Sequence, residues 1–218
     1  MAAWSNKEFG EVRREYDLNR MDEFKLPDDP LLLFVAWMQK ARTSGIPDPT
    51  AMTLSTVDDS GSPSSRIVLL KKIDQAKLIF FTNYKSRKAR EINHDSRVAA
   101  HLYWPQLERQ VKISGTAEAL EDTESDFYFS SRPFESKISA WASPQSDVVP
   151  DREFLEREYQ RYLLKFENTD DVPRPEHWGG FAIDPRRMEF WQGGKYRLHD
   201  RIEYTLTEDG WNRVRLAP

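Results

Sequence analysis

The chain has 218 residues, 39% hydrophobic and 31% charged, which fits one soluble globular domain, alone or with an appendage, burying roughly 70% of its unfolded surface. Its 32 Lys+Arg against 36 Asp+Glu leave a net charge of −4, which argues against a general nucleic-acid binder while leaving room for local basic pockets. The lack of cysteine excludes disulfides, thiolate metal sites and cysteine nucleophiles. "MAAWSNKEFG" has no secretory pattern, and the apolar run "LLLFVAWM" at 31–38 is too short to span a bilayer. The expected location is the cytoplasm, with no membrane partner.

"NKEFGEVRREYD" is polar with sparse apolar positions and reads as a short helix or a loosely attached arm. "DDPLLLFVAWMQKARTSG" follows, with Asp29 at a helix N-cap, Pro30 at the first helical position and a stop at Gly45. "AMTLSTV", "SSRIVLLKKI" and "KLIFFTN" are β-rich runs divided by "DDSGSP" and "DQA", the pattern of an antiparallel meander. "SRKAREINHD" reads as a short helix, and "RVAAHLYW" and "ERQVKISGTAEAL" as strands. Residues 121–143 read as helical with an interruption at Pro133, and 150–166 as an amphipathic helix. The tail "GGFAIDP", "RMEFWQ", "RIEYTLT" and "WNRVRLA" returns to β-structure. Hairpin-linked strands with helices set apart predict an α+β fold built on an antiparallel barrel or sheet.

There is no G-x-x-x-x-G-K-[ST] loop, G-x-G-x-x-G, H-E-x-x-H or G-x-S-x-G. The histidines at 94, 101, 177 and 199 have no ligand spacing, so no metal site is expected. Such side chains are poorly suited to hard chemistry alone, and a bound cofactor is the natural inference.

Several stretches point to anions. In "EFWQGGKYRLHDR" (189–201), Lys195, Arg197, His199 and Arg201 fall on alternate positions. An extended chain would line them on one side, which is unfavourable unless something negative sits among them. In "TNYKSRKAREI", Ser86 reads as an N-cap with Arg87 and Lys88 in the first helical turn. Cations there oppose the helix dipole, unless a phosphate at that end reverses the sign; a merely solvated helix start is the alternative. Arg66 and Lys71 are five apart in one strand run and so on opposite faces, serving two anions or simply snorkelling. Tyr128, Arg132 and Ser136 would form a helical stripe of phosphate-binding types, but Pro133 breaks it. Trp191 suits either core packing or contact with a flat ring. Gln110 suits either a solvent-facing strand position or an amide reading a heterocycle edge.

Taken together, "RREY" (13–16), "RIVLLK" (66–71), "FFTNYKSRKA" (80–89), "LERQV" (107–111), "YFSSRP" (128–133), "QSD" (145–147), "WGGF" (178–181), "EFWQGGKYRLHDR" (189–201) and "RLAP" (215–218) make the chain resemble the pyridoxamine 5′-phosphate oxidase family over nearly its whole length. The resemblance implies a split β-barrel homodimer with FMN bound across the subunit interface. It implies an arm at 1–28, a barrel core with helices at 29–170 and a C-terminal dimerisation and active-site segment at 171–218. Around FMN it would set Arg66, Ile67, Val68, Leu69, Leu70, Lys71, Phe81, Thr82, Arg87, Lys88, Gln110, Gln145, Ser146, Trp191 and Arg201. Around the substrate it would set Arg13, Tyr16, Lys71, Tyr128, Arg132, Ser136, Arg197, Leu198 and His199, with Arg197 and His199 beside the reacting carbon. Phe81 stands where many relatives have tyrosine, a mild departure. The implied reaction is oxidation of pyridoxamine or pyridoxine 5′-phosphate to pyridoxal 5′-phosphate by O2, in vitamin B6 metabolism. The alternatives are a non-catalytic flavin or pyridoxal-phosphate carrier and a split-barrel flavin reductase.

Overall fold

The computed structural model describes residues 15–169 and 171–218. Helix α1 (Pro30–Thr43) starts as its sequence predicts: the Asp29 side chain accepts the Leu31 amide at 2.9 Å, and Pro30 needs no donor partner. It buries Phe34, Trp37 and Ala41, with Trp37 edge-on to Phe190.

Strands β1 (Ala51–Val57) and β2 (Pro63–Leu69) form a hairpin. The run expected to continue to Ile73 breaks instead into β2 and a short β3 (Lys72–Asp74). The break closes the sheet: Leu70 still donates to Thr50 of the β1 side, while Lys71 already donates to Ile79 of β4 (Lys77–Asn83). Strands β5 (Arg97–Trp104), β6 (Arg109–Ala119) and β7 (Trp178–Gln192) complete the antiparallel circuit β2–β1–β5–β6–β7–β4–β3. This is the split barrel expected, filled by Met52, Leu54, Leu102, Val111 and Ile113, which alternate with outward residues. The strands are less of a meander than expected, because β4 pairs with the distant β7.

Strand β7 departs further from expectation, since the two predicted runs 179–185 and 187–192 are one strand of 15 residues. One edge pairs with β6 from Phe181 to Gln192; the other pairs first with β4, then with β8 (Asp200–Thr207), which pairs with β9 (Gly210–Leu216). Pro185 falls between those two partners and opposite the β6 irregularity at Ser114/Gly115, an interrupted position that tolerates proline.

Helices α2 (Arg87–His94), α3 (Asp122–Ser130), α4 (Phe134–Ala142) and α5 (Arg152–Phe166) surround the barrel. The expected break at Pro133 is the corner between α3 and α4. Arg174 clamps α3 to the start of β7: it binds Asp122 at 2.7 Å and Asp126 at 2.6 Å, and donates to the Trp178 carbonyl at 2.7 Å. Helices α4 and α5 share a satellite core around Ile138, Phe166 and Val172. Among the described residues, no helix is long and apolar enough to cross a membrane.

The β6 irregularity depends on Gly115, where an added Cβ would lie 2.0 Å from the Asp184 carbonyl oxygen. That obstacle is backbone and cannot rotate away. Gly115→Val is expected to lower stability by about 1–3 kcal/mol, the usual cost of overpacking. A denaturant midpoint unchanged at equal protein concentration would contradict this.

Candidate functional site

Lys71 occupies the seam where the chain leaves β1 for β4, so the parity argument that put it opposite Arg66 does not apply. Its side chain lines a cavity of about 570 Å³ with Phe81, Thr82, Tyr128, Arg132, Ser136 and Gln145. With Leu69, eight residues predicted from four separate stretches therefore meet in one place. Asn83, Ser143 and Trp178 complete much of the wall.

The α3–α4 corner explains how Tyr128, Arg132 and Ser136 converge without a continuous helix. The Tyr128 ring stacks on Phe81 with centroids 3.8 Å apart, and Phe81 lies parallel to Trp178 at 5.4 Å. The Arg132 guanidinium sits over Trp178 at 4.5 Å, a cation–π contact. Burial weakens its hold on its proton and pushes the Tyr128 phenol up, the two groups partly opposing these shifts. Among the described residues, Arg132 Nη1 is the one buried side-chain nitrogen or oxygen without a hydrogen-bond partner. Such a group is costly unless something accepts from it.

Lys88 lies behind the cavity wall, bonded to two of its lining residues, Thr82 and Gln145. Ser86 takes the N-cap position of α2, but its side chain makes no cap bond; its hydroxyl instead accepts from Lys88 Nζ at 3.2 Å. Thr82 Oγ1 and Gln145 Oε1 also accept from Nζ, both at 2.9 Å. All three acceptors are neutral. Burial, with the Arg66 charge adding to it and Glu91 opposing, lowers the ammonium from the usual 10.5 to about 8.

Arg66 and Arg87 do not line the cavity. They converge on Glu91, Arg66 at 3.0 Å and Arg87 at 2.7 Å, and Thr56 and Ser64 also donate to it. Burial would raise the Glu91 pKa, yet these donors hold it down to about 2. The i,i+4 spacing of Arg87 and Glu91 was visible in sequence, but nothing there signalled a buried carboxylate. Val68 and Leu70 face the core, whereas Ile67 is 63% exposed and Leu69 lies at the surface. Ser146 is exposed with φ 75.

The remaining predicted residues gather elsewhere. The alternation expected from Lys195 to Arg201 does not occur, because 195–197 form a 3-10 turn with Tyr196 and Arg197 at positive φ, and the strand resumes only at Asp200. Consecutive turn residues cannot share a strand's two-residue period. Instead His199 folds back on Trp191, with ring centroids at 4.6 Å, and Tyr16 lies edge-on to both. Arg197 sits 6.0 Å from the Tyr16 ring centre, and Leu198 is exposed. The Gly194 amide donates to His199 Nδ1 at 3.1 Å, so the neutral ring carries its proton on Nε2. Burial, then the Arg197 charge, lowers the His199 pKa and favours that neutral ring. Arg201 is held by Glu189 at 2.9 Å and the Ala217 carbonyl at 2.7 Å. Gln110 pairs across β5–β6 with His101 at 3.0 Å. Arg13 lies outside the described residues.

None of these C-terminal residues lines the cavity. Trp178 and Trp191 stand thirteen positions apart on β7, up to roughly 40 Å along an extended strand. One chain thus carries two separate clusters, one rich in phosphate-binding donors and one of aromatic, imidazole and guanidinium groups.

Comparison with known proteins gives the same pairing of parts. The family model for pyridoxamine 5′-phosphate oxidase matches residues 38–166, and that for the pyridoxine 5′-phosphate oxidase C-terminal dimerisation region matches 178–218. The chain is 48% identical to the pyridoxine/pyridoxamine 5′-phosphate oxidase of Polynucleobacter asymbioticus, over 95% of this chain and 98% of that one. It is 46% identical to the enzyme of that name from Shewanella pealeana, over 97% and 99%. Among solved structures, PhzG from Burkholderia lata 383, in complex with tetrahydrophenazine-1-carboxylic acid, superposes with a TM-score of 0.87 at 31% identity, covering 94% of this chain and all of that one. An FMN-binding protein from Nostoc punctiforme shares the fold, with a TM-score of 0.69 at 15% identity over 87% and 98%. By the extent of these matches, the chain belongs to the pyridoxamine 5′-phosphate oxidase family of oxidoreductases.

Proposed function

We propose that the chain oxidises pyridoxamine 5′-phosphate or pyridoxine 5′-phosphate to pyridoxal 5′-phosphate with FMN as cofactor and O2 as electron acceptor. The products besides the aldehyde are H2O2 and, from the amine, NH3. The observation that carries this reading is the buried, unpartnered Arg132 nitrogen in a cavity also lined by Lys71, Tyr128 and Ser136. Two cations and two hydroxyls at one wall match a phosphate ester, which accepts several charge-assisted hydrogen bonds at once.

Lys88 fits FMN for a related reason. It is a buried cation at a helix start whose hydrogen-bond acceptors are neutral, a setting in which a phosphate supplies the missing charge. Bound FMN would supply the two-electron acceptor, and the chain's own groups would bind and orient. In this reading Lys71, Tyr128, Arg132 and Ser136 hold the substrate phosphate. His199, with Nδ1 engaged by Gly194, presents Nε2–H as a donor toward the amine or alcohol and does not act as a base. Arg197 adds positive charge beside it.

The site would draw on two chains. The separation of the two clusters along β7 supports this, as do the exposed apolar Ile67 and Tyr103 on outward-facing strand positions. The intact substrate-side set argues against a carrier that never turns over.

Anaerobic addition of pyridoxine 5′-phosphate to the FMN-loaded protein is expected to bleach the flavin absorbance. Bleaching by NADPH alone would favour a reductase, and bleaching by neither a carrier. Arg132→Ala is expected to keep FMN but weaken substrate binding by about 1.5–3 kcal/mol, the usual worth of a hydrogen bond to a charged group. An unchanged KM would remove Arg132 from the phosphate site.

FMN affinity is expected to fall as pH rises through about 8, where Lys88 loses its proton in the cofactor-free protein. The dianionic phosphate binds the protonated form, so the Kd at pH 9 should be about tenfold above that at pH 7.5. Lys88→Ala should flatten this dependence and weaken FMN binding near pH 7 by about 1.5–3 kcal/mol. Fluorescence titration against pH measures both, and an equally steep profile in the variant would rule out Lys88 as the titrating group.

Lys88 of one subunit and Arg197 of the other are expected to serve one site. When impaired Lys88→Ala and Arg197→Ala proteins are unfolded and refolded together with FMN, half the dimers should be mixed. Each mixed dimer would hold one doubly damaged and one intact site, so roughly a quarter of parental activity should return. No recovery, with mixed dimers demonstrated by mass spectrometry, would mean that each site uses one chain.

A further inference from the structure

Glu108 ends the turn between β5 and β6 in left-handed conformation, φ 54 and ψ 40, and is only 2% exposed. Its carboxylate Oε2 accepts two consecutive backbone amides of the N-terminal arm, Asp17 at 3.0 Å and Leu18 at 3.1 Å. Its own carbonyl accepts from the Gly193 amide at 2.8 Å and from Gln192 Nε2 at 3.2 Å. A single residue therefore grips the arm with its side chain and the β7–β8 connection with its backbone.

The residue just before the gripped amides is Tyr16, whose ring meets Trp191 at 5.6 Å and His199 at 5.5 Å. The fit is close: a Cβ on Gly193 would come within 2.8 Å of the Tyr16 side chain. Of the arm's other ties, Lys195 to Asp17 at 2.7 Å joins two solvent-exposed side chains, and pairs of that kind hold little, while further along the arm the Met21 amide donates to Asp200 at 2.8 Å. Charge-assisted bonds to a buried carboxylate hold more, because releasing the arm would leave the carboxylate short of donors while still desolvated.

We infer that Glu108 is a positioning residue, a clasp that keeps the arm closed and holds Tyr16 against His199 on the substrate side of the site. The substrate part of this inference rests on the proposed function; the clasp itself does not.

The test combines hydrogen exchange with kinetics on FMN-loaded protein, comparing Glu108→Gln and Glu108→Ala with the parent. The Asp17 and Leu18 amides are expected to exchange about tenfold faster in the alanine variant, and less so in the glutamine variant, which keeps one acceptor. For pyridoxine 5′-phosphate, KM should rise about tenfold with kcat within about twofold, since the lost contact serves ground and transition states alike. FMN content should stay at the parental level. Should the alanine variant fail to fold, the glutamine variant and Tyr16→Ala decide the matter: Tyr16→Ala should reproduce the KM rise while the Asp17 and Leu18 amides stay protected. Unchanged exchange in the Glu108 variants would overturn the clasp, and faster exchange with an unchanged KM would overturn its positioning role. A parent that turns over neither B6 phosphate would defeat the proposed substrate instead, and the exchange result would still decide whether Glu108 holds the arm.

Discussion

Strand β7 is bound by backbone hydrogen bonds on both edges, to β6 from Phe181 to Gln192 and to β4 and then β8 on the other side. That double pairing fixes the position of everything attached to its two ends. At its start, Trp178 lies against Phe81 and Arg132 and forms part of the cavity wall. Toward its end, Trp191 supports His199 and Tyr16. A strand so paired cannot slide by one residue without turning its core-facing side chains outward, so the two clusters stay rigidly apart. This separation is what supports the proposed two-chain site.

Around the first end, unlike charges are handled in two ways. Glu91 gathers Arg66, Arg87, Thr56 and Ser64, and the donors outweigh the cost of its burial. Asp58 adds a second carboxylate 3.7 Å from Arg87. Lys88 and Arg132 are different, being held mainly by neutral or aromatic neighbours while burial works against their charge. Buried cations without enough acceptors are poor stabilisers of a fold. They make sense as preorganised receptors, with the desolvation cost met during folding so that an incoming anion meets donors already in place.

At the second end, the turn over 195–197 replaces the strand that alternation had suggested. It lets His199 return onto Trp191 and brings the Gly194 amide to Nδ1. Glu108 reaches this loop through its backbone and the arm through its carboxylate. A residue on the barrel rim therefore touches two segments distant in sequence, the arm through its side chain and the β7–β8 connection through its backbone.

Much was legible from residues alone. The N-cap at Asp29 with Pro30, the corner at Pro133 and the alternating strands are local patterns, because short-range sterics and side-chain periodicity decide them. The resemblance also named eight of the residues that line the cavity, because matched motifs carry a family's positions over one by one. Other features needed the folded chain. The break at Leu70–Lys71 follows from barrel closure, and the fusion of two runs into β7 follows from β6 spanning Pro185. The burial of Glu91 and Glu108, the orphaned nitrogen of Arg132 and the lowered pKa of Lys88 arise from what surrounds each group. Sequence determines which donors and acceptors a chain possesses. Only the tertiary structure decides which of them lose water and which are left in want of a partner, because desolvation is set by neighbours far away along the chain.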